Sequence, residues 1–197
     1  MPKFSEFNEE EFLLQFFKDQ NAGFFVDIGA NNGWKGSNTR ALFLKGWGGI
    51  CVEADPETFK SLKATYSNDA RITCFNCAVW NKDAVIEFNR HMDFDSGLSC
   101  VCVGHTDARL QIRVSVPCKT FDTLLSEAGH PPIIDLLQID TEGCDFEILS
   151  SFSWSVVPRL IMLEHGLSRD RFDMLLAERY KRVFSNQSNS AYERLSP

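Results

Sequence analysis

The sequence predicts an α/β fold with a mostly parallel central sheet and helices on both faces. Short apolar runs alternate along the chain with segments whose apolar residues recur at helical spacing. Acidic residues close four of the apolar runs, at Asp27, Glu53, Asp140 and Glu164, as expected where parallel strands end at one edge of a sheet. With 197 residues, 44% of them hydrophobic, the chain is long enough for one well-buried domain.

Glycine, proline and capping residues divide the chain into its predicted elements. An acidic first turn opens the leading amphipathic helix, Gly46 and Gly129 end two later helices, and Pro56 lies in the first turn of another. We expect an N-terminal helical unit over residues 1–22 and a single domain over residues 23–197. The predicted helices span residues 8–19, 37–47, 56–67, 121–129, 144–152 and 169–180, and the predicted strands lie in 23–29, 48–56, 71–80, 84–90, 133–143 and 158–166, with two more in 181–196.

Charge and hydropathy argue against several broad classes of protein. The net charge of −7 and the pI near 5.1 argue against a broad nucleic-acid-binding face, which normally needs a basic surface. No apolar run approaches the roughly 20 residues that span a bilayer. The first residues are acidic and lack the apolar core of a signal peptide, so we expect a cytoplasmic protein.

The cysteines favour reduced thiols over a disulfide framework, because they are seven in number and scattered. Two pairs have spacings that invite a test for zinc, Cys74 with Cys77 and Cys100 with Cys102. Positions three apart in a strand point to opposite faces, so the first pair is not expected to converge on one metal ion. The sequence therefore favours small apolar strand residues over a four-thiolate site.

The segment "FFVDIGANNGWKGSNTRAL", residues 24–42, joins a predicted strand to a predicted helix through two glycines. It lacks the middle glycine of the nicotinamide-binding G-x-G-x-x-G turn, and the carboxylate of Asp27 would repel a pyrophosphate. An amino-acid ammonium group fits this acidic turn better, and Glu53 is placed to accept hydrogen bonds from ribose hydroxyls. Together these features indicate S-adenosylmethionine. The alternative is that Gly29 and Gly33 only form a tight turn.

Six segments in order resemble the FkbM-type family of S-adenosylmethionine-dependent methyltransferases: "VDIGANNG", "GICVEADPETFKSLK", "CAVWNKDAVIEF", "SGLS", "TFDTLL" and "LLQIDTEGCDFEILSSF". The resemblance spans about residues 23–166, includes the D-x-E-G at 140–143, and implies a Rossmann-like class I methyltransferase fold. It implies methyl transfer, usually to an oxygen of a sugar, lipid or secondary metabolite. Carried over by position, it assigns Asp27, Gly29, Asn32 and Gly33 to the methionine end of the cofactor, Glu53 to the ribose, Asp55, Cys77 and Ala78 to the adenine, and Asp140 to the cofactor as well.

Methyl transfer to a hydroxyl needs a group that assists loss of the proton. The candidate catalytic residues follow the strands over 133–143 and 158–166: Asp140, Glu142, Glu164 and His165. An imidazole titrates near neutral pH, which favours His165 as the base; the alternative is that it packs beneath the sheet edge. Asp140 and Glu142 have a structural alternative too, at the start of the following helix. A Mg²⁺ ion held by Asp140, Glu164 and His165 is a further, less favoured option.

The preferred function is methylation of a small or glycan-like hydroxyl acceptor by S-adenosylmethionine. We expect the irregular segment 91–110, within a predicted loop over 90–111, to lie over the active site and contact the acceptor. Three alternatives remain: a nucleic-acid ribose 2′-O-methyltransferase, which the charge disfavours, a nicotinamide oxidoreductase, and a non-catalytic module that binds a cofactor or partner.

Overall fold

The structure is a computed structural model that describes residues 3–90 and 112–195. The segment 91–110, expected to contact the acceptor, lies outside the described residues. The helices are α1 (Glu9–Phe16), α2 (Arg40–Leu44), α3 (Pro56–Thr65), α4 (Phe121–Glu127), α5 (Asp145–Ser150) and α6 (Arg169–Leu176). The strands are β1 (Phe24–Ile28), β2 (Gly48–Glu53), β3 (Ile72–Asn76), β4 (Ala78–Val79), β5 (Ala84–Arg90), β6 (Ile112–Lys119), β7 (Leu136–Ile139), β8 (Leu160–Glu164), β9 (Tyr180–Ser185) and β10 (Asn189–Arg194).

Seven strands form the central sheet in the order β3-β2-β1-β7-β8-β10-β9. Neighbours from β3 to β8 pair in parallel, and β10 pairs antiparallel with both β8 and β9. From β1 the chain adds β2 and then β3 on one side, and it later adds β7 and β8 on the other side of β1. The strand order therefore reverses between β1 and β7. Crevices for ligands open at such a reversal, beyond the carboxyl ends of the strands. The predicted α/β fold with a mostly parallel sheet is confirmed.

Both faces of the sheet are buried, each under its own apolar cluster. Along β1 the side chains alternate: Phe25 joins the cluster that includes Leu13 and Leu42 from α1 and α2, whereas Val26 joins the cluster that includes Leu124 and Ile148 from α4 and α5. Side chains alternate between the two faces of a strand, and both faces are covered here. Most positions are therefore apolar, which explains the nearly continuous apolar runs in the sequence.

A second, three-stranded sheet has the order β4-β6-β5 and corrects two predictions. The single strand predicted over residues 71–80 is divided at Cys77, because β3 joins the central sheet and β4 joins the small one. Strand β6 lies outside every predicted element. It pairs antiparallel with β5 from Ala84↔Cys118 to Arg90↔Ile112.

The six described helices include none that is both long and apolar enough to cross a membrane.

Candidate active site

Two cavities open at the carboxyl edge of the sheet where the strand order reverses. The first, of about 610 Å³, is bounded by the ends of β2 and β4 and by the N-cap of α5, with Glu53, Cys77, Ala78, Phe88 and Cys144 in its wall. The second, which we call the acidic cleft, measures about 870 Å³ and is lined by Glu6, Glu9, Asp27, Asp140, Glu142 and Glu164. The volumes of both cavities include the space at their open mouths. The two share a boundary formed by Gly29, Asn31, Asp140 and Glu142.

Gly29 turns the chain out of β1 with a φ of +86°, a backbone conformation that favours glycine. A Cβ atom at this position would lie 1.7 Å from the backbone carbonyl oxygen of Asp140. The amides of Gly29 and Ala30 both donate to the carbonyl of Val52, at 3.0 and 2.9 Å. Glycine is therefore required here by the close approach of β7's end to the turn.

Glu53 ties the end of β2 to this turn. One carboxylate oxygen accepts from the amide of Asn31 at 3.0 Å, and the other accepts from the amide of Asp55 at 2.8 Å. Burial raises the pKa of Glu53 to about 7, against the opposing effect of these hydrogen bonds. The carboxylate keeps unused lone pairs and faces the first cavity.

Asp27 lies in the acidic cleft, buried on β1 below the turn. Its carboxylate accepts a hydrogen bond of 2.6 Å from the Thr39 hydroxyl. Burial raises its pKa to about 6, although the hydrogen bond from Thr39 acts in the opposite direction. A cationic group in the cleft would favour the charged form of this carboxylate.

Asn32 and Gly33 stabilise the turn through contacts with the neighbouring backbone and with Tyr66. The side-chain oxygen of Asn32 accepts from the amides of Trp34 and Lys35, at 2.9 and 3.0 Å. Gly33 has a φ of +70° and lies against the ring of Tyr66, where a Cβ would come within 2.6 Å of a ring carbon. Neither residue is in the described lining of the two cavities, although both were predicted to contact the cofactor.

The three residues predicted near adenine divide into two groups. Cys77 and Ala78 line the first cavity at the break between β3 and β4. Asp55 is instead the N-cap of α3, where its carboxylate accepts from the Glu57 amide at 2.8 Å and approaches Arg90 at 3.6 Å. Its side chain is not in the described lining of either cavity.

Three of the four predicted catalytic residues meet at the cleft. Carboxylate oxygens of Asp140, Glu142 and Glu164 all lie within 4.8 Å of one another. Burial, and then the nearby charge of Glu164, raise the pKa of Asp140 well above its ordinary value. The same two causes raise the pKa of Glu142 to about 7, and burial raises that of Glu164. This carboxylate cluster can accept protons near neutral pH or bind a cation.

His165 does not join this cluster, which corrects the predicted convergence of Asp140, Glu164 and His165. Its ring is buried, with Nδ1 3.1 Å from the carbonyl oxygen of Gly166 and Nε2 3.4 Å from that of Asn186. The guanidinium of Arg169 lies 3.2 Å from Nε2. The histidine packs beneath the sheet edge, as the structural alternative anticipated.

The sequence comparison decides the family. The Methyltransferase FkbM domain matches residues 27–188, which is most of the chain. The chain belongs to the FkbM methyltransferase family. Membership confirms the resemblance drawn from the motifs and implies S-adenosylmethionine as the methyl donor. The comparison with curated protein sequences returned no match.

Solved structures similar to this FkbM domain are class I methyltransferases of low sequence identity. A Staphylococcus aureus protein provisionally assigned as a caffeoyl-CoA O-methyltransferase has a TM-score of 0.58 at 9% identity, with 97% of this chain and 85% of that chain covered. The METTL16 methyltransferase domain has a TM-score of 0.57 at 13% identity, with 96% of this chain and 67% of that chain covered. The C-terminal domain of precorrin-6Y C5,15-methyltransferase from Rhodobacter capsulatus has a TM-score of 0.51 at 11% identity, with 94% of this chain and 86% of that chain covered. These likenesses confirm the Rossmann-like fold.

The FkbM domain also places residues in the cleft that sequence reasoning missed. Gln138, on β7, lines the cleft with both amide atoms buried and without a hydrogen-bond partner. It is a polar residue within the otherwise apolar run "LLQI", and that exception was a usable signal. Glu9, from α1, is held in the wall of the cleft by the side-chain amides of Asn186 and Asn189, at 2.7 and 2.9 Å.

Cys74 and Cys77, the described pair with zinc-like spacing, do not belong to any group of three or more possible metal ligands within the described residues. Cys74 and Cys77 are free thiols, and burial raises the pKa of Cys77 to about 12, whereas a metal-binding cysteine must be a thiolate. Cys100 and Cys102 lie outside the described residues. Within residues 3–90 and 112–195, the carboxylate cluster of the cleft is the group with ligand atoms close enough for a metal ion.

Proposed function

We propose that this FkbM domain methylates a hydroxyl oxygen of a small or glycan-like acceptor, such as a sugar, lipid or secondary metabolite. The observation that carries the proposal is the meeting of the two cavities at Gly29 and Asp140. The wall of one cavity offers a carboxylate and apolar side chains that would suit a nucleoside, and the other cavity carries proton-accepting carboxylates. A donor and an acceptor bound on either side of this boundary would meet at their reacting ends.

The residues of the first cavity fit the cofactor that the family implies. Glu53 offers carboxylate lone pairs to ribose hydroxyls, and the apolar side chains of Ala78 and Phe88 suit a flat base. In the adjoining cleft, Asp27 and the unpartnered oxygen of Gln138 would accept from an ammonium group. When bound, S-adenosylmethionine supplies a methyl group on an electrophilic sulfonium.

The acceptor side follows from the carboxylate cluster. An oxygen of Asp140, Glu142 or Glu164 would accept the hydroxyl proton, and a pKa of about 7 at Glu142 suits a base that works near neutral pH. Six acidic residues and Lys35 line the cleft. Such a surface repels a phosphate backbone, which supports an acceptor other than nucleic acid.

A two-stage experiment tests this function. S-adenosylhomocysteine at about 100 times its dissociation constant should stabilise the fold by about 2.7 kcal/mol, whereas NAD should not. A panel of sugars, hydroxylated lipids and phenolic metabolites would then be incubated with methyl-labelled donor, and the linkage of any product determined. A rise in the unfolding midpoint with NAD alone would reject the methyltransferase assignment, and a product methylated only on nitrogen or carbon would reject the hydroxyl acceptor. Asp140→Asn is the inactive control.

A further inference from the structure

We propose that the acidic cleft binds a divalent cation, Mg²⁺ or Mn²⁺, between Asp140, Glu142 and Glu164. Their carboxylate oxygens lie within 4.8 Å of one another, close enough to share one ion. All three side chains are half-buried, so the cluster is sheltered and still open to the cleft. No basic side chain forms an ion pair with these three carboxylates among the salt bridges of the described residues.

The pairing of β7 with β8 fixes the cluster. Ile139 and Leu163 are register partners, so the next residues, Asp140 just after β7 and Glu164 at the end of β8, lie side by side. Glu142 is brought back towards them by a turn in which its own φ is +56°. Two of the three ligands, Asp140 and Glu164, therefore come from the ends of rigid strands, which hold a coordination site more accurately than a loop would.

A second and independent observation also indicates a ligand in the cleft. Gln138 is 2% exposed, lines the cleft, and leaves both its amide oxygen and its amide nitrogen without a partner. It precedes Asp140, the residue directly after β7, by two positions, and side chains two apart in extended chain lie on one face. Nearly all buried polar groups in proteins are paired, so this amide is expected to contact a bound group, such as water coordinated to an ion.

The donor set selects the class of metal. Carboxylate and amide oxygens are hard ligands that suit Mg²⁺, Mn²⁺ and Ca²⁺, and the imidazole of His165, which would favour zinc or other transition metals, faces away. Mg²⁺ commonly takes one or two carboxylates and completes its shell with water and substrate oxygens. The role of the ion rests on the proposed function: it would orient the acceptor hydroxyl and lower its pKa.

The test uses Mn²⁺ as the probe, with the free ion counted by electron paramagnetic resonance and Mg²⁺ added as competitor. The wild-type chain should bind one Mn²⁺ that Mg²⁺ displaces. Glu142→Gln and Glu164→Gln should each weaken binding at least about tenfold, since loss of an outer-sphere partner alone costs 10–100-fold. Glu57→Gln, on the exposed face of α3 beside Lys60, is the matched control and should bind like the wild type.

Two results would overturn the proposal: no Mn²⁺ binding by the folded wild type at millimolar concentration, or equal binding by all four proteins. Thermal unfolding of each variant confirms that it is folded, and the two cluster variants serve as replicates should one be unstable. Binding of S-adenosylhomocysteine in chelator-treated buffer is measured separately. If S-adenosylhomocysteine binds and Mn²⁺ does not, only the proposed cation site is rejected. If Mn²⁺ binds and S-adenosylhomocysteine does not, only the methyltransferase assignment is rejected.

Discussion

Replacing Gly29 with alanine should separate β1 from β7 at the carboxyl edge of the sheet. The added Cβ would lie 1.7 Å from the carbonyl oxygen of Asp140, and ordinary contact begins near 3.4 Å, so a shift of about 1.7 Å is needed. That shift would break the 2.9 Å hydrogen bond from the Asp140 amide to the Ile28 carbonyl. Overpacking costs about 1–3 kcal/mol, the lost hydrogen bond about 1 kcal/mol, and the left-handed backbone of alanine another 1–2 kcal/mol.

Gly129 is a matched control for the cost of placing alanine in a left-handed backbone conformation. Its φ is +85°, nearly that of Gly29, but a Cβ there would have no heavy atom within 4 Å. Gly129→Ala should therefore cost only about 1–2 kcal/mol. Urea unfolding of the two variants compares them directly, and Gly29→Ala should be less stable than Gly129→Ala by at least about 2 kcal/mol.

Equal stability of the two variants would refute the close approach of Asp140 as the reason for the glycine. A Gly29→Ala protein that unfolds in buffer while Gly129→Ala remains folded would agree with the prediction. If Gly29→Ala stays folded, its affinity for S-adenosylhomocysteine should still fall, because Gly29 and Asp140 form the boundary between the two cavities.

Three more changes test individual carboxylates. Glu53→Gln should lower the affinity for S-adenosylhomocysteine at least about tenfold, as measured by calorimetry, and an unchanged affinity would remove the ribose assignment. It should also lower the free energy of unfolding by about 1–3 kcal/mol, because the amide nitrogen of glutamine would face a backbone N–H that now donates to the carboxylate. Asp55→Ala should cost about 0.5–2 kcal/mol through loss of the α3 cap and leave cofactor affinity unchanged, and a large affinity loss would restore Asp55 to the adenine site. Asp27 has a folded pKa of about 6, above its unfolded value, so its stabilising effect is full below about pH 4 and is lost as the pH rises through 6. The ligand-free protein should therefore be more stable near pH 5 than at pH 8, with about 1.4 kcal/mol of the difference absent in Asp27→Asn. A wild-type slope retained in that variant would contradict the assignment.

The central sheet could be predicted from sequence because its strands are covered on both faces. Such strands are continuous apolar runs, and "FFVDI" or "LIMLE" is hard to mistake. Strand β6, "IRVSVPCK", could not be recognised in the same way. Only alternate residues are buried, Pro117 interrupts the run, and its partner β5 is itself partly exposed.

The site was predictable to the extent that it depends on strand ends. Carboxylates that close neighbouring parallel strands must meet at one edge, and Asp140 and Glu164 do so. His165 was misplaced because consecutive residues of an extended chain point to opposite sides, and Glu164 already faces the cleft. The structural role of Asp55 could be inferred from the sequence, since Asp followed by proline is a helix-start signal that competes with ligand binding.

The acidic cleft brings the N-terminal segment and the C-terminal hairpin to the carboxyl edge of the sheet. Glu9 is fixed against Asn186 and Asn189 in the C-terminal hairpin of β9 and β10. Burial, and then the charge of Glu6 in the segment ahead of α1, raise the pKa of Glu164. Glu6 also adds to the larger effects of burial, Glu164 and Asp145 that raise the pKa of Glu142. Bringing this many carboxylates together costs free energy in the ligand-free protein, since charged groups lose water and repel one another. A bound ammonium group or divalent ion offsets that cost. Ligand binding and the stability of the N-terminal segment should therefore be coupled, because the same carboxylates contribute to both.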